Sequence, residues 1–246
     1  MIATPARAAL AAALLLGAAP ARAQSFGPAQ RAEIVEILRD ALTRDPTILR
    51  DAIDALRADE SAREAAATKA ALARAKTQLA DPADPVGGNP TGDVTVVEFY
   101  DVRCGYCKKL DPDLTRAVAE DRNIRRVYKD LPILGPGSMV GARATLAARR
   151  QNAYEKMRAA LMRASGDITP ALVAAEAKKL GLDADRLARD MDDPEVKARI
   201  DANLALANAL GIQGTPAMVI GQELIPGAVG PAELKRAIAA ARSGKS

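Results

Sequence analysis

Two cysteines are the whole complement of this 246-residue chain, and they stand two residues apart in Val102-Arg103-Cys104-Gly105-Tyr106-Cys107-Lys108. A structural disulfide draws its effect from the loop it closes, and a C-x-x-C pair closes almost none. The spacing therefore points to thiol chemistry. Just upstream, Val94-Thr95-Val96-Val97-Glu98-Phe99-Tyr100 is apolar and β-rich enough for a buried central strand, and Lys108 to Glu120 reads as a helix. Where a strand hands over to a helix, the sulfur of Cys104 meets unpaired backbone N–H groups and the positive end of the helix dipole, which favour a thiolate. Free cysteine has a pKa of about 8.5, and C-x-x-C sites of this kind fall anywhere from about 3.5 to 7.5. Cys104 is the expected nucleophile, and Cys107, one turn into the helix, the resolving thiol.

Other readings of the pair fit less well. A closed zinc site wants four nitrogen or sulfur ligands, and the chain offers two sulfurs and no histidine. An inert buried pair sits poorly beside Gly105, Lys108 and Lys109, which keep the surroundings open and positive. Two thiolates at a helix start also suit Cu(I), a function of a different class. Glu98 lies six residues before Cys104, and the alternation of its neighbours Val97 and Phe99 leaves it either solvent-facing or buried. If buried, it could take the proton of Cys107. In Gly214-Thr215-Pro216-Ala217 a proline stands immediately before a strand, where a cis bond is tolerated although trans is the general rule for X-Pro.

The chain opens with a basic start ending at Arg7, an apolar run from Ala8 to Ala19, then Pro20 and Ala21-Arg22-Ala23, the order of a cleavable signal peptide. The run is too short for a membrane span of about 20 apolar residues, and no cysteine after Ala23 suggests a lipid anchor. Residues 1–23 are read as the leader, which places the mature protein in an oxidising, exported setting, the periplasm. With Arg7 and Arg22 removed, the 35 basic residues become 33 against 31 acidic ones, a balance that argues against a nucleic-acid partner. The absence of histidine also removes the commonest general base.

Positioning elements follow from periodicity. Ile34, Ile37, Leu38, Ala41 and Leu42 fall on one helical stripe, and a second helix starts at Asp45-Pro46 with a stripe of Leu49, Ala52, Ile53 and Leu56. From Ala58 to Leu79 the chain is rich in Ala, Glu, Lys and Arg, with Leu72 and Leu79 its only large apolar residues, the pattern of a stalk. Two narrow stripes with no second layer of their own favour association of residues 28–80 with further copies over packing in cis. Breakers from Asp81 to Pro90 end this region, which spans 24–86 with its linker, and 87–246 forms the main domain. There Ile124 to Lys129 reads as a strand, Ser138 to Leu210 as four or five helices, Ala217 to Ile220 and Glu223 to Ile225 as strands, and Pro231 to about Ala241 as a helix. The order β-α-β, helical block, β-β-α is that of an α/β thioredoxin-like fold with a helical insertion at about 138–210, preceded by an α-helical stalk.

Gly88-Asn89-Pro90, the run from Val97 to Asp101, Cys104-Gly105-Tyr106-Cys107-Lys108, the run Lys129-Asp130-Leu131-Pro132-Ile133-Leu134-Gly135 and Gly214-Thr215-Pro216-Ala217 together resemble the DsbA-like family of exported thiol-disulfide oxidoreductases. The N-terminal helices and the Cys-Gly-Tyr-Cys site are most similar to its ScsC-type suppressors of copper sensitivity. The resemblance implies Cys104 as nucleophile, Cys107 as resolving thiol, Glu98 as a buried acid, and Thr215-Pro216 as a cis-proline loop whose backbone pairs with substrate. It implies no cofactor beyond a redox-active Cys104–Cys107 disulfide. Where many relatives carry an aromatic residue this chain has Val102. Within the family, Gly105-Tyr106 between the cysteines and Thr215 before the proline resemble the isomerases more than the oxidases. The expected activity is therefore isomerase or reductase, with a disulfide-forming oxidase as the alternative. The expected partners are misfolded or disulfide-containing exported proteins, a membrane redox partner and further copies of the chain in a dimer or trimer.

Overall fold

The computed structural model describes residues 26–244, so the expected leader at 1–23 lies outside the described residues. Contacts divide the chain between Asp59 and Glu60. In the first unit, helix α1 (Pro28–Arg44) starts with proline in its first turn, and the Gly27 N–H donates to Gln30 Oε1 at 2.9 Å. Helix α2 (Thr47–Arg74) begins where Asp45 Oδ1 accepts the Thr47 N–H at 3.0 Å. No side chain of α1 is buried. Its stripe and that of early α2 leave Ile34, Ile37, Leu38, Leu42, Leu49, Ile53 and Leu56 exposed.

The second unit is built on a five-stranded sheet of β1 (Val86–Gly88), β2 (Val94–Tyr100), β3 (Ile124–Asp130), β4 (Ala217–Ile220) and β5 (Glu223–Pro226). The spatial order is β1-β3-β2-β4-β5, with β2 parallel to β3 and every other pair antiparallel. The parallel pair is joined by helix α4 (Gly105–Glu120), a βαβ crossover that puts the cysteines at the carboxyl end of the central strand. Between β3 and β4 run α5 (Pro136–Arg149), α6 (Tyr154–Arg163), α7 (Pro170–Lys179), α8 (Ala184–Met191) and α9 (Pro194–Ala209), and α10 (Pro231–Arg242) closes the chain. The insertion is thus five helices. Thr169, Asp183 and Asp193 cap three of them by accepting backbone N–H bonds.

Alternation in the strands assigns the two faces of the sheet. Val94, Val96, Ile124, Met218 and Ile220 pack with Leu110 and Leu114 of α4 and Leu234 and Ile238 of α10. On the other face, Val97, Phe99, Val127 and Val219 meet Leu206 and Leu210 at the end of α9, and Leu72, Ala75 and Leu79. The stretch expected to be a bare stalk from 58 to 79 is therefore seated at its far end, where the last turn of α2 and the short helix α3 (Lys76–Leu79) supply apolar cover that α9 does not. Lys129 fixes this seat: its ammonium donates to the Gln78 carbonyl at 2.6 Å and pairs with the buried Asp84. Arg199 of α9 holds Asp81 at 2.7 Å and Asp84 at 3.2 Å.

Strand β1 was not expected. Three residues containing Gly-Gly carry no alternation, and the strand exists because Gly87 and its neighbours pair along the open edge of β3. Among the described residues no helix is long and apolar enough to cross a membrane.

Candidate active site

Cys104 is the N-cap of α4, with its own N–H donating to the Asp101 carbonyl and its carbonyl accepting from Lys108, each at 3.0 Å. The helix begins three residues earlier than the sequence suggests, which places the Cys104 sulfur at the helix start. Both cysteines are free thiols. Cys104 keeps a sliver of exposure while Cys107 has none, the asymmetry expected of an attacking and a resolving thiol. Burial pushes the Cys107 thiol far above the ordinary cysteine range; a hydrogen bond with the Asp101 backbone opposes this, and the neighbouring Cys104 and Glu98 add to it. Gly105 and Tyr106, between the two, face solvent.

Thr215 and Pro216 arrive from the start of β4. Their peptide bond is cis, and the Cys104 thiol donates to the Thr215 carbonyl at 3.1 Å. The Thr215 hydroxyl is buried with no hydrogen-bond partner, and beside this loop lies a shallow cavity of about 280 Å³ lined by Ile212, Gly214, Leu224 and Gly227.

Asp101 was not singled out in the sequence, yet it organises the rim. Its Oδ1 accepts the Arg103 N–H at 2.8 Å, and its Oδ2 accepts those of Ile133 and Leu134 at 3.1 and 3.2 Å. An aspartate that bonds the backbone two residues on is an Asx turn, the one local signal that could have flagged it. Ile133, Leu134 and Tyr106 remain exposed. Arg103 ties the same rim to the insertion, donating to the Leu134 carbonyl at 2.8 Å and to Asp167 at 2.7 Å. Val102 is buried against α5, where a Cβ added to Gly141 would stand 2.3 Å from its Cγ2. The absence of a side chain at Gly141 leaves room for this valine.

Glu98 is fully buried, as the resemblance implies, and it is not alone. Arg126 of β3 donates to its Oε2 through Nε at 3.1 Å and Nη2 at 2.8 Å, and Arg158 of α6 approaches the same oxygen at 3.3 Å. Both arginines also reach Asp111 Oδ1 at 2.8 Å. Burial would raise the Asp111 carboxyl, but Arg158 and Arg126 outweigh it and hold the group below the usual carboxylate range. Burial works against both guanidiniums, but Glu98, Asp111 and the neighbouring tyrosines together outweigh it, so each lies above the ordinary arginine value. These partners lie 28 and 60 residues from Glu98, beyond the reach of any local pattern.

Among the described residues no cluster of three or more histidine, cysteine or acidic side chains is arranged to hold a metal. The arrangement can instead present one sulfur at a helix start beside the Thr215 carbonyl, and keep a second, buried one a turn further on.

A family model described as the DSBA-like thioredoxin domain matches residues 95–239, and one described as the copper resistance protein ScsC N-terminal domain matches residues 30–63. Among solved structures, a thioredoxin-like oxidoreductase from Silicibacter pomeroyi is 46% identical, with a TM-score of 0.66 over 68% of this chain and 97% of its own. A linker-deletion mutant of Proteus mirabilis ScsC is 28% identical, with a TM-score of 0.67 over 92% of this chain and 100% of its own. A curated relative, a Na(+)/H(+) antiporter of Salinispora arenicola, is 31% identical over 163 residues, which are 65% of this chain and 25% of the antiporter. The chain thus spans about a quarter of the length of the curated relatives it matches.

Proposed function

This chain belongs to the DSBA-like thioredoxin domain family, and on that premise we propose that it is an exported thiol-disulfide oxidoreductase that rearranges or reduces disulfides in periplasmic proteins. The observation that carries the reading is the Cys104 thiol at the start of α4, 3.1 Å from the Thr215 carbonyl. In the proposed cycle the Cys104 thiolate attacks a mispaired substrate disulfide, forming a mixed disulfide and releasing one substrate thiolate. That thiolate, or another on the substrate, attacks the mixed disulfide and returns Cys104, which completes an isomerisation without net electron transfer. When no substrate thiol does so, the buried Cys107 gives up its proton and attacks Cys104, leaving a reduced substrate and a Cys104–Cys107 disulfide. Backbone at Thr215 and the cavity beside it offer a place for an extended substrate segment, and Gly105-Tyr106 set the potential.

The exposed stripes of α1 and early α2 support a homo-oligomer, dimer or trimer, formed through residues 28–80. An uncovered series of large apolar side chains of this length is rare on a monomer. Several catalytic domains held together would engage one misfolded chain at more than one point and raise the effective concentration of thiols around it. Recovery of activity by a scrambled-disulfide enzyme tests the reading. Activity of the mature chain from Gln24 that is lost on removing residues before Asp84 supports an isomerase. Rapid oxidation of a reduced substrate, with no recovery of the scrambled one, replaces it with a DsbA-like oxidase.

A second role in copper tolerance is favoured by the two adjacent free thiols, which suit two-coordinate Cu(I) once Cys107 loses its proton. Tight one-to-one Cu(I) binding by the reduced chain, abolished in the Cys104→Ser, Cys107→Ser double variant, supports it; equal binding by that variant removes it.

A further inference from the structure

The helical insertion contributes one charged side chain to the ground beneath the thiols. Arg158, on α6, sets Nη1 2.8 Å from Asp111 Oδ1 and Nη2 3.3 Å from Glu98 Oε2, while Arg126 holds the same two carboxylates at 2.8 Å each. Glu98 belongs to β2, Arg126 to β3 and Asp111 to the helix that starts at Cys104, so Arg158 is the one member from outside the thioredoxin framework. Its position is fixed by more than charge: its guanidinium carbon lies 4.5 Å from the ring centre of Tyr100 and 4.9 Å from that of Tyr128. Two carboxylates and two guanidiniums balance to zero. Asp111 stands one helical turn after Cys107, and Cys107 packs in the same buried cluster as Tyr100 and Tyr128, the rings that Arg158 overlies.

We propose that Arg158 is a positioning residue for the redox site: it completes a charge-balanced square with Glu98, Asp111 and Arg126 beneath Cys107, so that the insertion sets the dithiol–disulfide equilibrium. The proposal rests on the reading that Cys104 and Cys107 form a redox couple. A dithiol that ionises carries negative charge and its disulfide carries none. Removing the Arg158 charge leaves the buried group net negative, which disfavours the thiolate and moves the couple towards disulfide.

The test is the equilibrium of the full chain with glutathione, in which protein dithiol and glutathione disulfide give protein disulfide and two glutathione thiols. Two electrons leave the protein sulfurs, and the two thiol protons end on glutathione or in solvent. Trapping by alkylation at neutral pH reads the ratio. R158M is expected to raise the constant for disulfide formation by roughly five- to tenfold, and R158K to stay within about twofold of wild type, since charge is kept. In an E98Q background R158M restores neutrality, so the constant returns towards the wild-type value. A constant unchanged in R158M, or changed equally in R158K, overturns the proposal. If R158M does not fold, E98Q alone decides: it leaves an unbalanced positive charge and must move the constant the other way, towards dithiol, and an unchanged value overturns the proposal. A wild-type chain that glutathione disulfide does not oxidise overturns the redox reading and this one with it. Normal oxidation with indifferent variants overturns this one alone.

Discussion

The sulfur of Cys104 rests 3.1 Å from the carbonyl oxygen of Thr215, a residue 111 positions further along the chain. This contact joins the start of α4 to the entrance of β4 and leaves the carbonyl facing the sulfur that would attack. A substrate segment seated there would bring its disulfide to Cys104 by backbone pairing, without reading side chains. Replacing Cys104 with Ser is expected to lower scrambled-substrate recovery by roughly two orders of magnitude or more, because a hydroxyl is not ionised at neutral pH. Cys107→Ser should instead accumulate a mixed disulfide, visible as a covalent adduct on a non-reducing gel. Equal activity of Cys104→Ser and wild type would remove the assigned nucleophile.

The packing of Val102 against Gly141 gives a stability test that does not touch the sulfurs. A methyl group at 141 would stand 2.3 Å from Val102 Cγ2, so one side must move. Gly141→Ala is expected to cost about 1–3 kcal/mol in urea unfolding, as overpacked cores do. Most of that loss should return when Val102→Ala is added, a coupling that a double-mutant cycle measures.

Asp130 gives the chain a pH-dependent term. It is fully buried, and burial raises its carboxyl from 3.8 to about 6, although Thr145, Tyr100 and Tyr154 each donate to it at 2.7 Å. In the unfolded chain the proton leaves near 3.8, and in the folded chain it stays to about 6. Between these values the folded state binds more protons, so this contribution to stability is complete below 3.8 and is lost as pH rises through 6. The loss is on the order of 3 kcal/mol at neutral pH. Asp130→Asn should remove that component, so the difference in urea midpoint between variant and wild type changes with pH across this window. A constant difference from about pH 4 to pH 7 would show that Asp130 does not titrate there.

The stripes of the first unit make a separate claim about assembly. Leu38 and Ile53 are exposed, and a glutamate at either would put charge into any seam they form with further copies. The Leu38→Glu, Ile53→Glu double variant is expected to have the mass of one chain by light scattering. On the proposed reading it should also lose recovery of the scrambled substrate. A mass unchanged from wild type would place any assembly surface elsewhere.

Much of the catalytic unit was legible because its signals are local. The run from Val94 to Tyr100 is apolar and β-rich enough for a buried strand, Cys104 and Cys107 mark the helix that follows, and Ser-Gly-Asp, Leu-Gly-Leu-Asp and Asp-Asp-Pro punctuate the insertion where its helices break. The environment of Glu98 was not legible. One acid in an apolar strand reads the same whether it meets water or arginine, and Arg126 and Arg158 come from a strand and a helix far along the chain. Leu72 and Leu79 illustrate the same limit: two leucines seven residues apart on an alanine-rich helix suit a seam between copies as well as a seat on the sheet. The difference lies in whether the sheet's second face is otherwise covered, a property of the tertiary structure.

The tyrosines have an optical consequence. The chain has no tryptophan and four tyrosines, so its near-ultraviolet emission comes from these rings alone. Tyr100, Tyr128 and Tyr154 are packed together beside Arg158 and Asp130, and the fourth, Tyr106, stands exposed between the cysteines. The protein therefore carries two built-in reporters of different surroundings. A soluble quencher reaches the one between the sulfurs and not the three in the interior, so light alone can separate an event at the thiols from a loosening of the insertion.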